Sequence, residues 1–509
     1  MNARATNNPG TNFMASATEA IGARLLRGID APRASYSLKK AQEDWNFAVT
    51  GMASGSRQPN TETVGHGVLA SLELWSVTGD KKYADTATEL GRMLMDSQQR
   101  EFLPGLSYPL AGVFYTNTEK TQVLRASHAS HEAAPVVALV HLCEAFPNHP
   151  DWMRWYSSVV LYTEYYQKAM AAFTQPYGML ANSVYFEEEQ PTGSGGRDMT
   201  PEVFRNQVRN GVKVGDQAYA RLFPVWGEFR GNHGTALTQA KGLSAAAHLR
   251  GSLELASMVQ QELQWVMGRN PFVQSTMWGE GHDYAPQYSA MSGDIVGSLP
   301  VGIQARGDSD IPYWPTENCH NWKEVWVLPV SRWLWIMEDL VGPAKVSGRM
   351  DSGVRTPVEF KEAKTGKVTA VPPDSGGARF QAALPAGEYE VKCNDARSSV
   401  TLLAAGTYNL DFRTGRRIDF KIAHQTAADG TVTLTLTVEG SGKHKISART
   451  DNLTPPPADR ELDLKPGVPA RITWNAKMAG ISTPWVAVFY ADDDLTHRKE
   501  ATGTTDRGK

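Results

Sequence analysis

The chain has 509 residues, enough for roughly two to four domains. Hydrophobic residues at 41% and charged residues at 21% place it among globular rather than disordered proteins. A formal net charge of −3 supplies no basic field for nucleic acid, no apolar run reaches the length of a membrane span, and the opening Met1-Asn2-Ala3-Arg4-Ala5-Thr6-Asn7 has no apolar signal core.

The first part reads as helical hairpins. Residues 14–28 and 33–49 flank Gly28-Ile29-Asp30-Ala31-Pro32. Val68, Leu72 and Trp75 then fall on one apolar stripe, and Tyr83, Ala87, Leu90 and Leu94 form a second. Between them, Gly79 suits a left-handed helix stop and Asp80 the next N-cap. Residues 131–146 and 150–173 flank Pro147-Asn148-His149-Pro150, residues 235–250 and 252–267 flank Gly251, and a last helix runs from about Pro329 to Leu340. This makes about nine helices, paired by short loops. Irregular stretches at 98–126, 176–233 and 268–328 interrupt them, and loops of that length are expected to build a functional face.

The pattern changes after Val341. Residues 342–357 are rich in Gly, Ser and Pro and read as a linker. Beyond it the period switches to two, in Gly387–Val391, Thr431–Val438 and Trp485–Tyr490. Thr454-Pro455-Pro456-Pro457 is a loop. The expected domains are a helical domain at 1–341, the linker, β-sandwiches at 358–414 and 415–495, and a polar, disordered tail at 496–509.

Cys143, Cys319 and Cys393 are widely spaced and form no CxxC pair, so neither a zinc site nor a disulfide framework is expected, and no cofactor is called for. The chemistry gathers elsewhere. Of 14 tryptophans, seven lie between Trp265 and Trp335. Such a segment is either core or a row of platforms for sugar rings. The helix ending Leu263-Gln264-Trp265-Val266-Met267 runs into Gly268-Arg269-Asn270-Pro271, which by itself is a helix stop. Three glycine-punctuated or polar loops follow: Trp278-Gly279-Glu280-Gly281-His282, Gly293 to Gly302, and Asn318-Cys319-His320-Asn321-Trp322-Lys323-Glu324-Val325-Trp326.

This order, from the GRNP turn through the two glycine loops to a Glu-Val pair opening the last helix, resembles the C-terminal part of the catalytic domain of glycoside hydrolase family nine. The resemblance covers roughly residues 14–341 and is specific at 264–340. It implies a six-hairpin α/α toroid, hydrolysis of β-linked glucans by inversion, a polysaccharide or oligosaccharide partner, and a secreted or periplasmic location. It also implies that Glu324 is the general acid. Two departures stand out: Lys323 replaces the family's Asn, and Ala285-Pro286-Gln287-Tyr288 replaces its His–Arg pair. The family's two catalytic aspartates precede its first hairpin, whereas Asp30 and Asp44 sit singly. With about nine helices against the twelve of a closed six-hairpin toroid, the chain is expected to lack the family's N-terminal portion, leaving the toroid incomplete; a different catalytic base elsewhere in the chain is the competing explanation.

Inversion needs one carboxylic acid to protonate the leaving oxygen and a second carboxylate, about 6.5–9.5 Å away, to activate water. Trp322, Val325 and Trp326 could give Glu324 an apolar setting, while Lys323, if turned inward, would favour the charged form. The bland alternative is a capping box, Asn321-x-x-Glu324. Substrate contacts are expected from His131, Arg230, His233, Trp278, His282 and Trp322. His128 and His131 lack a third ligand, so no metal site follows. Asp308 and Asp310 read as turn residues and Glu187-Glu188-Glu189 as a solvated run. Two other functions compete: a polysaccharide lyase on a similar toroid, with His233 as base and Arg230 neutralising a uronate, and a non-catalytic, truncated glycan binder.

Overall fold

The computed structural model describes residues 8–54, 59–126, 132–189, 199–226, 231–284, 286, 288, 295–394, 396–416 and 418–505. The chain forms two units, Met1–Ala246 with Met258–Trp333, and Ala247–Ser257 with Leu334–Lys509.

The helices are α1 (Pro9–Leu26), α2 (Ala31–Ser54), α3 (Thr61–Thr78), α4 (Lys81–Asp96), α5 (Ala134–Ala145) and α6 (Trp152–Tyr162). A π-helical stretch, Thr163–Lys168, extends α6 into the short α7 (Ala169–Ala171). Next come β1 (Ser183–Phe186), α8 (Pro201–Arg209), β2 (Val212–Lys213), β3 (Ala218–Arg221), α9 (His233–Arg250) and α10 (Leu253–Val266). The series ends with β4 (Gln304–Ala305), β5 (Pro312–Tyr313), α11 (His320–Lys323) and α12 (Val327–Leu340).

The early helices pair as their periodicity demands. α1 packs on α2, α3 on α4 and α5 on α6, and α1, α3 and α5 also pack in a row. α3 is buried around most of its circumference, whereas α4 buries a stripe that includes Tyr83, Ala87, Leu90 and Leu94. The α3–α4 turn forms as expected: Gly79, at φ 70°, returns its N–H to Trp75 O, and the Asp80 side chain accepts from Lys82 N. Trp45 from α2 closes the first core, edge-on to Tyr83 and donating to Ser71 Oγ at 2.8 Å. Each such large apolar side chain contributes about 1.5–3 kcal/mol by leaving water.

The described residues between 176 and 233 hold more regular structure than the sequence suggests. β1, β3 and β2 form a small sheet, and α8 is an additional helix. Thr200 caps it, Pro201 occupies its first turn, and Phe204, Gln207 and Val208 line its buried face. The acidic run beside this sheet is not simply solvated: Glu187 pairs with Arg209 at 2.6 Å and Glu189 with Arg125 at 2.5 Å.

The second unit holds two β-lobes. The first contains β6 (Ala344–Arg349), β7 (Val358–Glu362), β8 (Val368–Val371), β9 (Arg379–Leu384), β10 (Gly387–Cys393), β11 (Ala396–Leu402) and β12 (Thr407–Asp411). They form sheets β11-β10-β7-β8 and β12-β6-β9 around a core that includes Val346, Phe360, Phe380 and Val391. The second contains β13 (Ile418–Thr426), β14 (Thr431–Gly440), β15 (Gly442–Asp451), β16 (Leu453–Thr454), β17 (Arg460–Leu464), β18 (Ala470–Met478), β19 (Trp485–Ala491) and β20 (Asp494–Gly503). Its sheets are β13-β14-β18-β16 and β17-β15-β19-β20. Val432, Leu434, Leu436 and Val438 of β14 all point into the shared core, with threonines between them.

Two expectations need correction here. Residues 344–349, read as linker, are strand β6, because Ala344, Val346 and Gly348 alternate inward within a Gly/Ser-rich stretch. Residues 496–503, read as a disordered tail, belong to β20, where Leu495 and Ala501 are buried and backbone pairing to β19 holds an otherwise polar strand.

Candidate active site

The segment around Glu324 is built by backbone pairing among three short stretches. Residues 299–303 lie in the middle. On one side Asn232 N donates to Ile303 O at 2.8 Å and His233 N to Val301 O at 3.1 Å. On the other side Gly302 N donates to Trp322 O and Val301 N to Glu324 O, both at 2.8 Å, and Trp326 N donates to Leu299 O at 3.0 Å. The approach is so close that only glycine fits at its centre. Gly302 has φ 106°, and a Cβ there would stand 2.4 Å from the His233 ring. Gly302 therefore admits protein, not ligand.

Glu324 is the C-cap of the four-residue α11, and α12 starts at Val327. The capping-box geometry is absent, since Cys319 occupies the N-cap of α11 and makes no side-chain cap bond. The Glu324 carboxylate is part-buried, and its Oε2 accepts from Trp326 Nε1 at 2.7 Å. Lys323 turns the other way. Its ammonium, 1% exposed as a residue, donates to Thr316 O at 2.9 Å and lies 5.4 Å from the centre of the Trp314 ring. Burial lowers the Lys323 pKa, against a smaller pull from Glu317. Among the described residues no ion pair joins Lys323 to Glu324.

The other expected site residues separate. Trp322 is core: it is 8% exposed, donates to Glu317 O at 3.0 Å and packs with Trp265, Ile303 and Trp314. His233 is also fully buried, with Nε2 3.4 Å from Thr276 Oγ1. Burial pulls its pKa down to about 4, opposed by a hydrogen bond to the Pro300 backbone, so the buried ring packs as a neutral imidazole. Trp278 is part-buried, edge-on to Tyr284 at 5.1 Å, and its backbone pairs with Gly297 and Ser298, just before Leu299. His282 is exposed on the same loop. His131 and Arg230, with His128, lie outside the described residues.

Asp310 has the role foreseen for a turn residue and one more. It accepts from Leu222 N and Phe223 N at 2.6 and 2.9 Å and lies 3.4 Å from the buried Arg221, which tethers the 268–328 loop to β3. Burial raises its pKa, while Arg221 and the two amides act against that. Asp308 is exposed and takes part through its carbonyl. The Gly268–Pro271 turn is a helix stop, in which Asn270 Nδ2 donates to Trp265 O at 2.8 Å.

Sequence reading missed two neighbours of Glu324. Tyr288 pairs with the acid's own segment, donating its N–H to Lys323 O at 2.8 Å, and its ring sits 6.1 Å from that of the exposed His320. Trp326, expected there as part of an apolar setting, also donates its indole N–H to the carboxylate. Two buried acids were also missed: burial raises Glu132 and Glu262 to about 8 each, partly offset by hydrogen bonds from Tyr162 OH and Leu180 N. No group of three or more His, Cys, Asp or Glu side chains among the described residues could hold a metal ion.

The family model described as Glycosyl hydrolase family 9 matches residues 2–292. No curated protein matches the chain. Among solved structures, the cellulase Cel9M of C. cellulolyticum is similar, with 12% identity, a TM-score of 0.39 and coverage of 65% of this chain and 63% of that one. The catalytic domain of Clostridium thermocellum CelT has 14% identity, a TM-score of 0.36 and coverage of 65% and 60%. An endoglucanase from the termite Nasutitermes takasagoensis has 14% identity, a TM-score of 0.35 and coverage of 65% and 64%. The chain thus spans less than two thirds of the length of each.

Proposed function

The chain belongs to glycosyl hydrolase family 9, and on that premise we propose that it hydrolyses a β-linked glucan by inversion, with Glu324 as general acid. The helical unit is then an α/α toroid and the two β-lobes are accessory sandwiches. One observation carries the choice of residue. Glu324 is the carboxylate at the junction of the loop face and the last helix, and Trp326 Nε1 holds its Oε2 at 2.7 Å. That bond leaves Oε1 to carry the proton and deliver it to the glycosidic oxygen. Lys323, directed to Thr316 O, keeps its charge off the carboxylate. Trp278 and His282, on the loop whose backbone pairs just ahead of Leu299, are proposed as sugar contacts.

Inversion also requires a second carboxylate to activate water on the opposite face of the sugar. The experiment is hydrolysis of β-glucan and xyloglucan by the chain and by Glu324→Gln. Activity in the first and its loss in the second supports the reading. Equal activity in both overturns the assignment of the acid. Ultraviolet absorbance from an unsaturated product would mark a lyase instead.

A further inference from the structure

The two β-lobes meet around a cavity of about 210 Å³. Its apolar wall comes from both lobes: Phe412 closes the first, and Ile418, Phe420 and Ala491 belong to the second. Its rim is charged, and each carboxylate on it already has a partner. Asp411 binds Arg413 through two guanidinium nitrogens, with Nε at 2.9 Å and Nη2 at 2.5 Å. Asp492 binds the buried His444 at 2.7 Å and Lys445 N at 2.9 Å. Asp494 binds His497 at 2.8 Å and Thr496 N at 2.8 Å. Arg416 differs. Among the described residues its guanidinium makes no hydrogen bond or ion pair, and it is exposed on the rim.

The geometry points to a binding site for one neutral, hydroxyl-rich ring, a single sugar residue of a glycan, at this joint. A metal cation would have to displace partners that all three aspartates already hold, and no metal-ligand group is present among the described residues. An anion attracted by Arg416 would face three carboxylates. A sugar meets both conditions. Its hydroxyls donate to the carboxylate lone pairs left over and accept from the five N–H groups of Arg416, while its C–H face meets the apolar wall. The volume lies below the roughly 300–1,000 Å³ of pockets for drug-sized ligands, which suits one ring. The site is also preformed. Thr414 N donates to Asp351 at 3.0 Å, Ser399 N to Asp419 at 3.0 Å and Gly415 N to Ser441 Oγ at 3.3 Å, so the short connection between the lobes is pinned from both sides.

The test is calorimetric titration of the whole chain with glucose and cellobiose, with sulfate and calcium as controls. The choice of glucose-based probes rests on the glucan reading; the ligand class does not. Cellobiose should bind wild type and Glu324→Gln equally. Arg416→Ala, an exposed change, should weaken the joint's share of that binding at least tenfold, and Ser398→Phe, which adds a ring at a lining position, should abolish that share while leaving binding at the Glu324 cleft in place, with thermal melts of both variants like wild type. Full binding by Arg416→Ala and Ser398→Phe overturns the proposal, as does binding of sulfate or calcium alone, or of none of the probes. Absence of hydrolysis by the wild-type chain with joint binding intact counts against the glucan-hydrolase reading only, and the converse against the joint only.

Discussion

The hairpins α1–α4 and the loop face at 268–326 obey different rules. In the hairpins, side chains decide the structure: a stripe such as Tyr83, Ala87, Leu90 and Leu94 finds a core, and the backbone satisfies itself within each helix. In the loop face, the backbone decides. Residues 299–303 are held on both edges by main-chain hydrogen bonds, and the side chains there fill what space remains. Aromatic and polar side chains that look like ligand contacts in a list of residues can therefore be internal packing, as Trp322 and His233 are. The side chains left for chemistry are those whose backbone neighbours are fully engaged while they themselves face outward.

Glu324 is the sharpest case, and the largest effect is expected there. Glu324→Gln keeps the hydrogen bond from Trp326 but has no proton to give. General acid catalysis contributes about 10²–10⁴-fold, so kcat on β-glucan should drop by that factor with KM little changed. If the loop face does no chemistry, kcat will not move.

How far each region was legible follows from the same contrast. Gly79 and Asp80 were readable as a helix stop and a cap because the turn depends on those two residues alone. β14 was readable because threonines alternate with core residues. Strand β6 was hidden in a Gly/Ser-rich segment, since its partners β9 and β12 lie 30 or more residues away. α8 was hidden too, although Thr200-Pro201 is a start signal, because only Phe204, Gln207 and Val208 mark its buried face. In the loop face the glycines were visible, but not what approaches them. No local pattern says that His233 sits under Gly302, or that Tyr288 pairs beside Glu324.

The contrast can be broken at Gly302. Alanine there has to adopt φ 106° and to push its Cβ against the His233 ring. Strain of this kind with overpacking costs about 2–5 kcal/mol, read in urea unfolding of the helical unit. Gly22, in α1, is a control from the hairpin region: nothing closer than Ser37 Oγ at 3.9 Å meets a Cβ there. Gly22→Ala should be neutral or slightly stabilising. Similar losses in both would mean that the backbone contacts of the loop face are not what hold it.

Burial of titratable groups gives a smaller, pH-dependent effect. Glu262 is 1% exposed on α10, with its pKa raised to about 8 mainly by burial. An acid raised in the folded state favours folding below its unfolded value, about 4.3, and that advantage is lost as pH rises toward 8. His233 has the opposite sign. Its folded value of about 4 lies below the unfolded value, about 6.5, so its contribution is present above 6.5 and lost as pH falls toward 4. Glu262→Gln should therefore flatten the decline in stability between pH 5 and 8, leaving the variant about 2–4 kcal/mol better placed at pH 8 than its standing at pH 5 predicts. The loss on the acid side should persist. Parallel curves for the two proteins would mean that Glu262 does not titrate in this range.

The smallest effect separates two tryptophans four residues apart. Trp322 and Trp326 each donate one indole hydrogen bond, to Glu317 O at 3.0 Å and to Glu324 Oε2 at 2.7 Å. Phenylalanine at either site removes the N–H and trims the ring in the same way, so the pair differs mainly in what the lost bond held. Trp322 donates to a neutral carbonyl within the core, and Trp322→Phe should cost about 1 kcal/mol of stability with kcat unchanged. Trp326 donates to the carboxylate proposed as the general acid. Trp326→Phe should cost about 1.5 kcal/mol in the transition state, roughly tenfold in kcat, with KM and unfolding midpoint near wild type. Rotation of the freed carboxylate would misdirect Oε1 without removing it, so the loss should stay well short of that in Glu324→Gln. A kcat loss at Trp322 as large as that at Trp326 would place the rate effect in packing rather than in the orientation of the acid.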